Sequence, residues 1–344
     1  MLPYDHLEAV IGLEIHTQLK TRSKLFCSCN NDAENAPVNT LICPICVGHP
    51  GTLPNPNREA LRYAVRAGLA LSCKINSPTF FDRKHYMYPD LPKGYQISQF
   101  DVPVAGEGEL TIEFSETVRS PIKIRIERIH LEEDAAKNIH QDGKTLVDYN
   151  RSGTPLIEMV TKPDILTPED AKAFLQEYRR IMKTLGVSDA DMEKGHLRCD
   201  ANISLRPVDS DGHPTEHDFY PKTEVKNMNS FKSVERALVF EIARQTELWE
   251  ANTPPAENTT RGWDAVKQKT VLQRTKEVSA DYRYMREPDL PPVDISALMA
   301  EEQKSITELP TAKRKRFKEE FGLADNVAWT LTDDPVLASF CENT

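Results

Sequence analysis

Cys27-Ser28-Cys29 and Cys43-Pro44-Ile45-Cys46 are two close pairs of thiols with residues 30–42 between them. Two such pairs suit one tetrahedral metal ion, because each short spacing lets both sulfurs of a pair turn toward the same point. Four thiolates leave no position open for a substrate, so the chemistry expected of Cys27, Cys29, Cys43 and Cys46 is a structural zinc that pins the long 30–40 loop. Four reduced thiols that merely lie near one another are the plainer alternative. Cys73, Cys199 and Cys341 read as ordinary packing or surface residues.

A second set of candidates consists of acids and bases at alternating positions. In 10–19, Ile11, Leu13, Ile15 and Leu19 share one side of an extended chain, while Gly12, Glu14, His16 and Gln18 share the other. Glu14 and His16 would then sit roughly 7 Å apart on one face. In 197–206 the alternation is cleaner, with Leu197, Cys199, Ala201, Ile203 and Leu205 against Arg198, Asp200, Asn202, Ser204 and Arg206. Solvated sheet faces often alternate in this way. These faces, however, hold Glu-x-His and Arg-x-Asp-x-Asn rather than the usual Lys, Glu and Thr, a mixture suited to a hard divalent cation with phosphate beside it. Glu132, Glu133 and Asp134 add carboxylates after an Ile-rich segment, and Glu224 and Lys226 place an acid and a base on one face of a further strand. Glu158, between Ile157 and Met159, is either a salt-bridged core residue or part of the same site. Neither Gly-x-x-x-x-Gly-Lys nor Gly-x-Gly-x-x-Gly occurs, so any ATP must be held by metals and side chains on a sheet.

The elements that must position these groups are strands at 10–19, 121–131, 155–160, 197–206 and 223–228, joined irregularly, which predicts an α+β fold with a mainly antiparallel sheet. One helix is well marked: Thr167 caps it, Pro168 suits its first position, Ala171, Phe174, Tyr178, Ile181, Met182 and Leu185 form its apolar stripe, and Gly186 ends it. Another is expected over about 230–249, and 251–260 reads as a surface loop because it carries breakers without an apolar period. From Ile295 the pattern becomes charged and helical, and residues 340–344 offer no natural stop, so the chain is expected to end within a helical domain.

Composition limits the partners. Acidic residues outnumber basic ones, 53 to 43, for a net charge of -10, so nucleic acid can be gripped only by a local patch. The 81–99 segment offers one, mixing Lys84, His85 and Lys93 with Tyr86, Tyr88 and Tyr95. Basic groups there could meet phosphates while rings stack on unpaired bases, although a proline-bearing loop with core aromatics reads equally well. Four of the seven cysteines fall within 27–46, which suggests a reducing compartment; residues 1–5 lack a signal-like pattern, no apolar run is long enough to span a membrane, and a cytoplasmic location is expected.

The segments Val10-Ile11-Gly12-Leu13-Glu14-Ile15-His16, Phe81-Asp82-Arg83-Lys84-His85-Tyr86-Met87-Tyr88-Pro89-Asp90-Leu91-Pro92-Lys93-Gly94-Tyr95, His130-Leu131-Glu132-Glu133-Asp134, Asp148-Tyr149-Asn150-Arg151-Ser152-Gly153-Thr154, Leu197-Arg198-Cys199-Asp200-Ala201-Asn202 and Asp281-Tyr282-Arg283-Tyr284 resemble the GatB family, the B subunits of tRNA-dependent amidotransferases. The resemblance runs through essentially the whole chain. It implies a cradle domain of the glutamine synthetase/guanido kinase type over 1–292, the beginning of a helical domain over 293–344, and no tail domain. It further implies that ATP phosphorylates the side-chain carboxylate of Glu-tRNA(Gln) or Asp-tRNA(Asn), and that ammonia attacks the acyl phosphate. The ammonia would come from glutamine through a separate amidase subunit, with a small third subunit completing the complex. Carried over by position, the magnesium site falls on Glu14, His16, Glu133, Asp200 and Glu224, with Glu132 beside it. Arg198 and Lys226 are candidates for steadying phosphoryl charge, Asn202 and Ser204 for nucleotide contact, and Lys84, His85, Tyr86, Tyr88, Lys93 and Tyr95 for the tRNA acceptor end. A noncatalytic zinc-bearing RNA-binding scaffold and a ligase acting on free amino acids are the alternatives.

Overall fold

The structure is a computed structural model and describes residues 6–114, 119–216, 218–276 and 282–343. In chain order its elements are β1 (Leu7–Gln18), α1 (Arg58–Ala70), β2 (Asp82–His85), β3 (Tyr95–Ser98), β4 (Gly108–Ile112), β5 (Ile122–Glu133), β6 (Lys137–Gln141), β7 (Lys144–Asp148), β8 (Pro155–Thr161) and α2 (Pro168–Thr184). Then follow β9 (Leu197–Pro207), β10 (Thr223–Met228), α3 (Phe231–Glu250), β11 (Asn258–Asp264), β12 (Lys269–Lys276), β13 (Met285–Arg286), α4 (Ser296–Ser305), α5 (Pro310–Phe321), α6 (Asp325–Asp333) and α7 (Pro335–Glu342).

The fold is α+β. Eight strands form one sheet in the order β12-β11-β10-β9-β1-β8-β5-β4, with every neighbouring pair antiparallel except β10 and β11. The long strand β1 sits near the centre, with Glu14 opposite Asp200 on β9 and His16 opposite Glu158 on β8. Side chains alternate across a sheet, so a single register decides which residues share a face. Ile11, Leu13 and Ile15 of β1 fall on the same side as Ala201, Ile203, Ile157, Met159, Ile129 and Leu131, all essentially solvent-free. Helices α1, α2 and α3 close over this side and form one continuous core, which includes Val65, Phe174, Tyr178, Val234 and Leu238. At about 25 cal/mol for each Å² of apolar surface buried, such a layer is the main force holding the strands in register.

Local signals account for the helices. Thr167 accepts a hydrogen bond from the Asp170 amide at 3.1 Å, Pro168 opens α2, and Gly186 follows it at a φ of 67° that an L side chain rarely adopts. Ser230 caps α3 through the Ser233 amide. The expected loop over 251–260 is corrected at its end: Asn258, Thr259 and Thr260 begin β11, with Thr259 opposite Thr223 of β10. The β-branched pair Thr259-Thr260 favours extended chain, and the missing apolar period only reflects how little of this strand reaches the core.

A small sheet, β13-β2-β3, lies against the end of β5, and β6 and β7 form a separate hairpin. Helix α4 packs on α1 and contributes Leu298 to the main core, with Ile295 just before it. Helices α5 to α7 enclose a smaller cluster of Phe317, Ala328 and Ala338. Among the described residues no helix is long and apolar enough to cross a membrane.

Candidate catalytic face and four-cysteine site

The side of the main sheet opposite α1, α2 and α3 is a lawn of acids and bases. The register aligns His130, Glu158 and His16 across β5, β8 and β1, because each is the direct cross-strand partner of the next. His16 Nε2 lies 3.2 Å from Glu158 Oε2, 3.7 Å from Glu132 Oε1 and 3.7 Å from Glu14 Oε1. His130 Nε2 lies 3.6 Å from Glu158 Oε2 and 3.8 Å from Glu132 Oε2. Glu132, Glu158 and His130 are buried. Two ligand sets, Glu14/His16/Glu158 and His130/Glu132/Glu158, each bring one donor atom per residue within 4.8 Å of the others.

Crowded carboxylates away from water must be compensated by positive charge. Burial works against a proton on His16, but the hydrogen bond to Glu158 and the charges of Glu158, Glu132 and Glu14 outweigh it, pushing its pKa up to about 9. Burial would raise Glu158, yet His130 and His16 hold its carboxyl well below the usual range. Glu14 is shifted upward, chiefly by burial and then by Glu158. Glu132 Oε2 and His130 Nδ1 are buried without a hydrogen-bond partner. Orphaned donors and acceptors of this kind, on a face with three carboxylates, fit a divalent cation.

The acidic row continues toward β10. Lys226 Nζ pairs with Asp200 Oδ2 at 2.5 Å and Glu224 Oε1 at 3.2 Å, and Thr260 Oγ1 donates to Glu224 Oε2 at 2.9 Å. Burial opposes the charge on Lys226, but Asp200 and then Glu224 more than restore it and raise its pKa. Asn202 sits opposite Glu224 and Gly12 on this face, and Ser204, two residues on, is buried opposite Val10. Arg198 is anchored at one edge, its Nη2 donating to Asp134 Oδ2 at 2.8 Å.

Glu133 is not brought to this face. It follows Glu132 on one strand and therefore points the other way. Its Oε1 accepts from the Ile97 amide at 2.9 Å and pairs with Lys93 Nζ, in the wall of a cavity of about 220 Å³. The residue that shares the face with His16 is its neighbour Glu132. Glu158 belongs to the same group. His130 joins it unannounced: the spacing His130-x-Glu132 mirrors Glu14-x-His16, but it is embedded in an Ile-rich core strand, and only the pairing of β5 with β8 reveals it.

Ring contacts sort five of the six aromatic and basic residues of 81–99 into Lys84 with Tyr86, and His85 and Lys93 with Tyr95. Lys84 reaches over the carboxylate face, 4.9 Å from the Tyr282 ring and 6.0 Å from the Tyr86 ring; burial works against its charge, but Glu132, Tyr284 and Glu158 raise its pKa. His85 Nδ1 contacts Arg283 O at 2.9 Å and its ring tilts against Tyr95, while Tyr88 is exposed. Lys93 faces Glu133 and the cavity. Asp281, from the same set of motifs, lies outside the described residues.

Cys27, Cys29, Cys43 and Cys46 converge, with all four sulfurs within 4.8 Å of one another. The Cys27 thiol is pushed up, first by its hydrogen bond with Cys46 and then by burial; the same hydrogen bond draws the Cys46 pKa down to about 5, with Lys24 contributing. Burial lifts Cys29 to about 11. Four soft donors at this separation fit a tetrahedral zinc.

The GatB/GatE catalytic domain family matches residues 9–301. Relatives named as the B subunit of aspartyl/glutamyl-tRNA(Asn/Gln) amidotransferase include that of Thermotoga maritima, 51% identical over 340 residues, which cover 97% of this chain and 68% of the relative. That of Roseiflexus sp. strain RS-1 is 48% identical over 340 residues, 98% of this chain and 68% of the relative. That of Helicobacter pylori strain HPAG1 is 44% identical over 345 residues, covering 100% of this chain and 70% of the relative. With a carboxylate and histidine face, a four-cysteine site and likeness along its length, this chain belongs to the GatB/GatE catalytic domain family.

Proposed function

We propose that this chain is the component of a tRNA-dependent amidotransferase that uses ATP to activate the side-chain carboxylate of Glu-tRNA(Gln) or Asp-tRNA(Asn). The observation that carries the reading is the cross-strand row His130-Glu158-His16, flanked by Glu132 and Glu14. When bound, magnesium-ATP supplies the γ-phosphoryl group that makes the carboxylate an acyl phosphate, from which ammonia displaces phosphate. Glu14, Glu132 and Glu158 would hold the cation together with His16, whose proton the cation would displace, taking over the positive charge that these carboxylates otherwise draw from the imidazolium. Asp200 and Glu224 extend the acidic row. Lys226 balances those two carboxylates and lies where charge on a phosphoryl oxygen needs a partner. Arg198, held by Asp134, offers a second fixed positive group. Asn202 and Ser204 complete the polar face on the nucleotide side.

The same reading takes the sheet as a cradle of the glutamine synthetase/guanido kinase type and, since Ile295 and Leu298 belong to the main core while α5 to α7 enclose their own, moves the start of the helical domain from about residue 293 to the junction of α4 and α5. Its partners in the complex would be an amidase subunit, which frees ammonia from glutamine, and a small third subunit, all in the cytoplasm. Lys84, Tyr86, Tyr88, His85 and Tyr95 would meet the unpaired acceptor end, with Lys93 set back beside Glu133. The zinc would be structural.

The test is amidation of both mischarged tRNAs by the reconstituted complex. Glu158→Gln removes a cation ligand worth several kcal/mol of transition-state stabilisation, so ATP-dependent amidation falls on the order of 100-fold while glutamine hydrolysis persists. Full amidation by the variant contradicts the assignment, and amidation of free glutamate would favour a ligase of small amino acids.

A further inference from the structure

Lys24 is fully buried, and its ammonium has an unusual set of partners. Nζ donates to Leu41 O at 2.8 Å and Tyr149 O at 3.4 Å, and lies 3.8 Å from Cys46 Sγ. Among the described residues no carboxylate lies within 4.0 Å of it. A buried ammonium that meets only neutral carbonyls is strongly disfavoured, so its countercharge has to come from sulfur. The converse need exists at the cysteines. Four thiolates around one divalent ion leave an excess of negative charge, and Cys27 and Cys46, both buried, cannot rely on water to spread it.

The fold fixes the ammonium there. The Lys24 amide donates to Cys29 O at 3.0 Å, the Leu25 amide donates to Gly153 O at 2.8 Å, and Asn57 Nδ2 donates to Lys24 O at 3.1 Å. Gly153, at a φ of 85° that an L side chain rarely adopts, packs beside Lys24 and Cys46, where a Cβ would make ordinary contacts of 3.5 Å with Lys24 Cδ and 3.6 Å with Cys46 Cβ. The Cys43 amide donates to Cys46 Sγ at 3.2 Å, so this sulfur receives two donors.

We propose that Lys24 is the built-in countercharge of the four-cysteine metal site: its ammonium donates to Cys46 Sγ, ties the metal-binding loop through Leu41 to the 149–153 turn, and slows loss of the ion. The inference rests on reading the cysteines as a zinc site and adds a positioning residue to it. Metal retention in Lys24→Met, which keeps length and loses charge, is compared with Lys24→Arg, which keeps charge, by measuring zinc per purified chain and its transfer to a chromophoric chelator. Zinc leaves Lys24→Met about tenfold faster than wild type or more, and Lys24→Arg restores retention to within about threefold. Equal rates for wild type and Lys24→Met overturn the proposal, as do equally fast rates for both variants, which would assign the effect to packing. Wild-type protein without zinc overturns the metal site itself and the proposal with it. Where Lys24→Met does not fold, lysine-selective nitrogen NMR on wild type decides: the Lys24 ammonium signal shifts when cadmium replaces zinc, and an unmoved signal overturns the proposal.

Discussion

Glu132 and Glu133 show how much one position decides. Adjacent on β5, they face opposite sides of the sheet: one meets His16 and His130, the other Lys93 and the Ile97 amide. The family resemblance, carried over by position, picked Glu133, whose carboxylate lies on the far side of the sheet, while Glu14, His16, Asp200 and Glu224 fall on one side as alternation requires. Glu132→Gln should weaken magnesium-dependent ATP binding about tenfold or more, whereas Glu133→Gln should leave it within about threefold, measured by calorimetric titration. Equal losses would reject the division of faces. His130 and Glu158 were harder to read, because Ile129, Leu131, Ile157 and Met159 surround them with core residues. A buried carboxylate between two buried apolar neighbours is recognised as a site residue only when the facing strand is known.

At the scale of elements, caps and breakers in sequence locate α2 and α3 well, since Thr167 and Ser230 act through neighbours three residues away. Helix α1 is not among the anticipated elements, although Asn57 caps it and Ala60, Leu61, Ala64, Val65 and Ala67 form its buried stripe. Its cap and apolar period are as clear as those of α2, so this helix too was legible in the sequence. The docking of α4 on α1 was not legible, because it depends on a long-range ion triad. Glu302, 1% exposed, takes hydrogen bonds from Arg62 Nε at 2.7 Å and Arg66 Nε at 2.5 Å. Removing it leaves Arg66 to the Leu185 carbonyl and Arg62 to Glu59, and Glu302→Ala should cost about 1 to 2 kcal/mol in chemical denaturation. Burial opposes the Glu302 charge, yet Arg66 and Arg62 hold its pKa below the ordinary carboxyl value. A depressed folded-state pKa gives stability that is present above the unfolded value, about 4.3, and is lost as pH falls through the folded value. The difference between wild type and Glu302→Gln should accordingly be full at neutral pH and shrink in acid; a gap that widens on acidification would contradict the pairing.

For the whole molecule, the strand order is what assembles the site. Residues from β1, β5, β8, β9 and β10 meet because the sheet interleaves early and late segments, placing β1 between β8 and β9. Composition and alternation announce an α+β protein and one polar face per strand, but only pairing makes those faces one. The four-cysteine loop stands apart from this logic, its spacing being readable directly. Stripping a bound zinc should lower the melting temperature and expose 27–52 to proteolysis ahead of the sheet, as followed by limited digestion with and without chelator. Simultaneous digestion of both would contradict a local structural role.

If His16 and its surrounding carboxylates hold the divalent cation of the nucleotide, a paramagnetic ion in its place will report them. Manganese can replace magnesium at oxygen-rich sites and reports its ligands magnetically. Electron spin echo measurements on manganese-ATP bound to the protein should show coupling to an imidazole nitrogen that disappears in His16→Gln. Bound manganese-ATP without nitrogen coupling, or with coupling untouched by the substitution, would contradict the account.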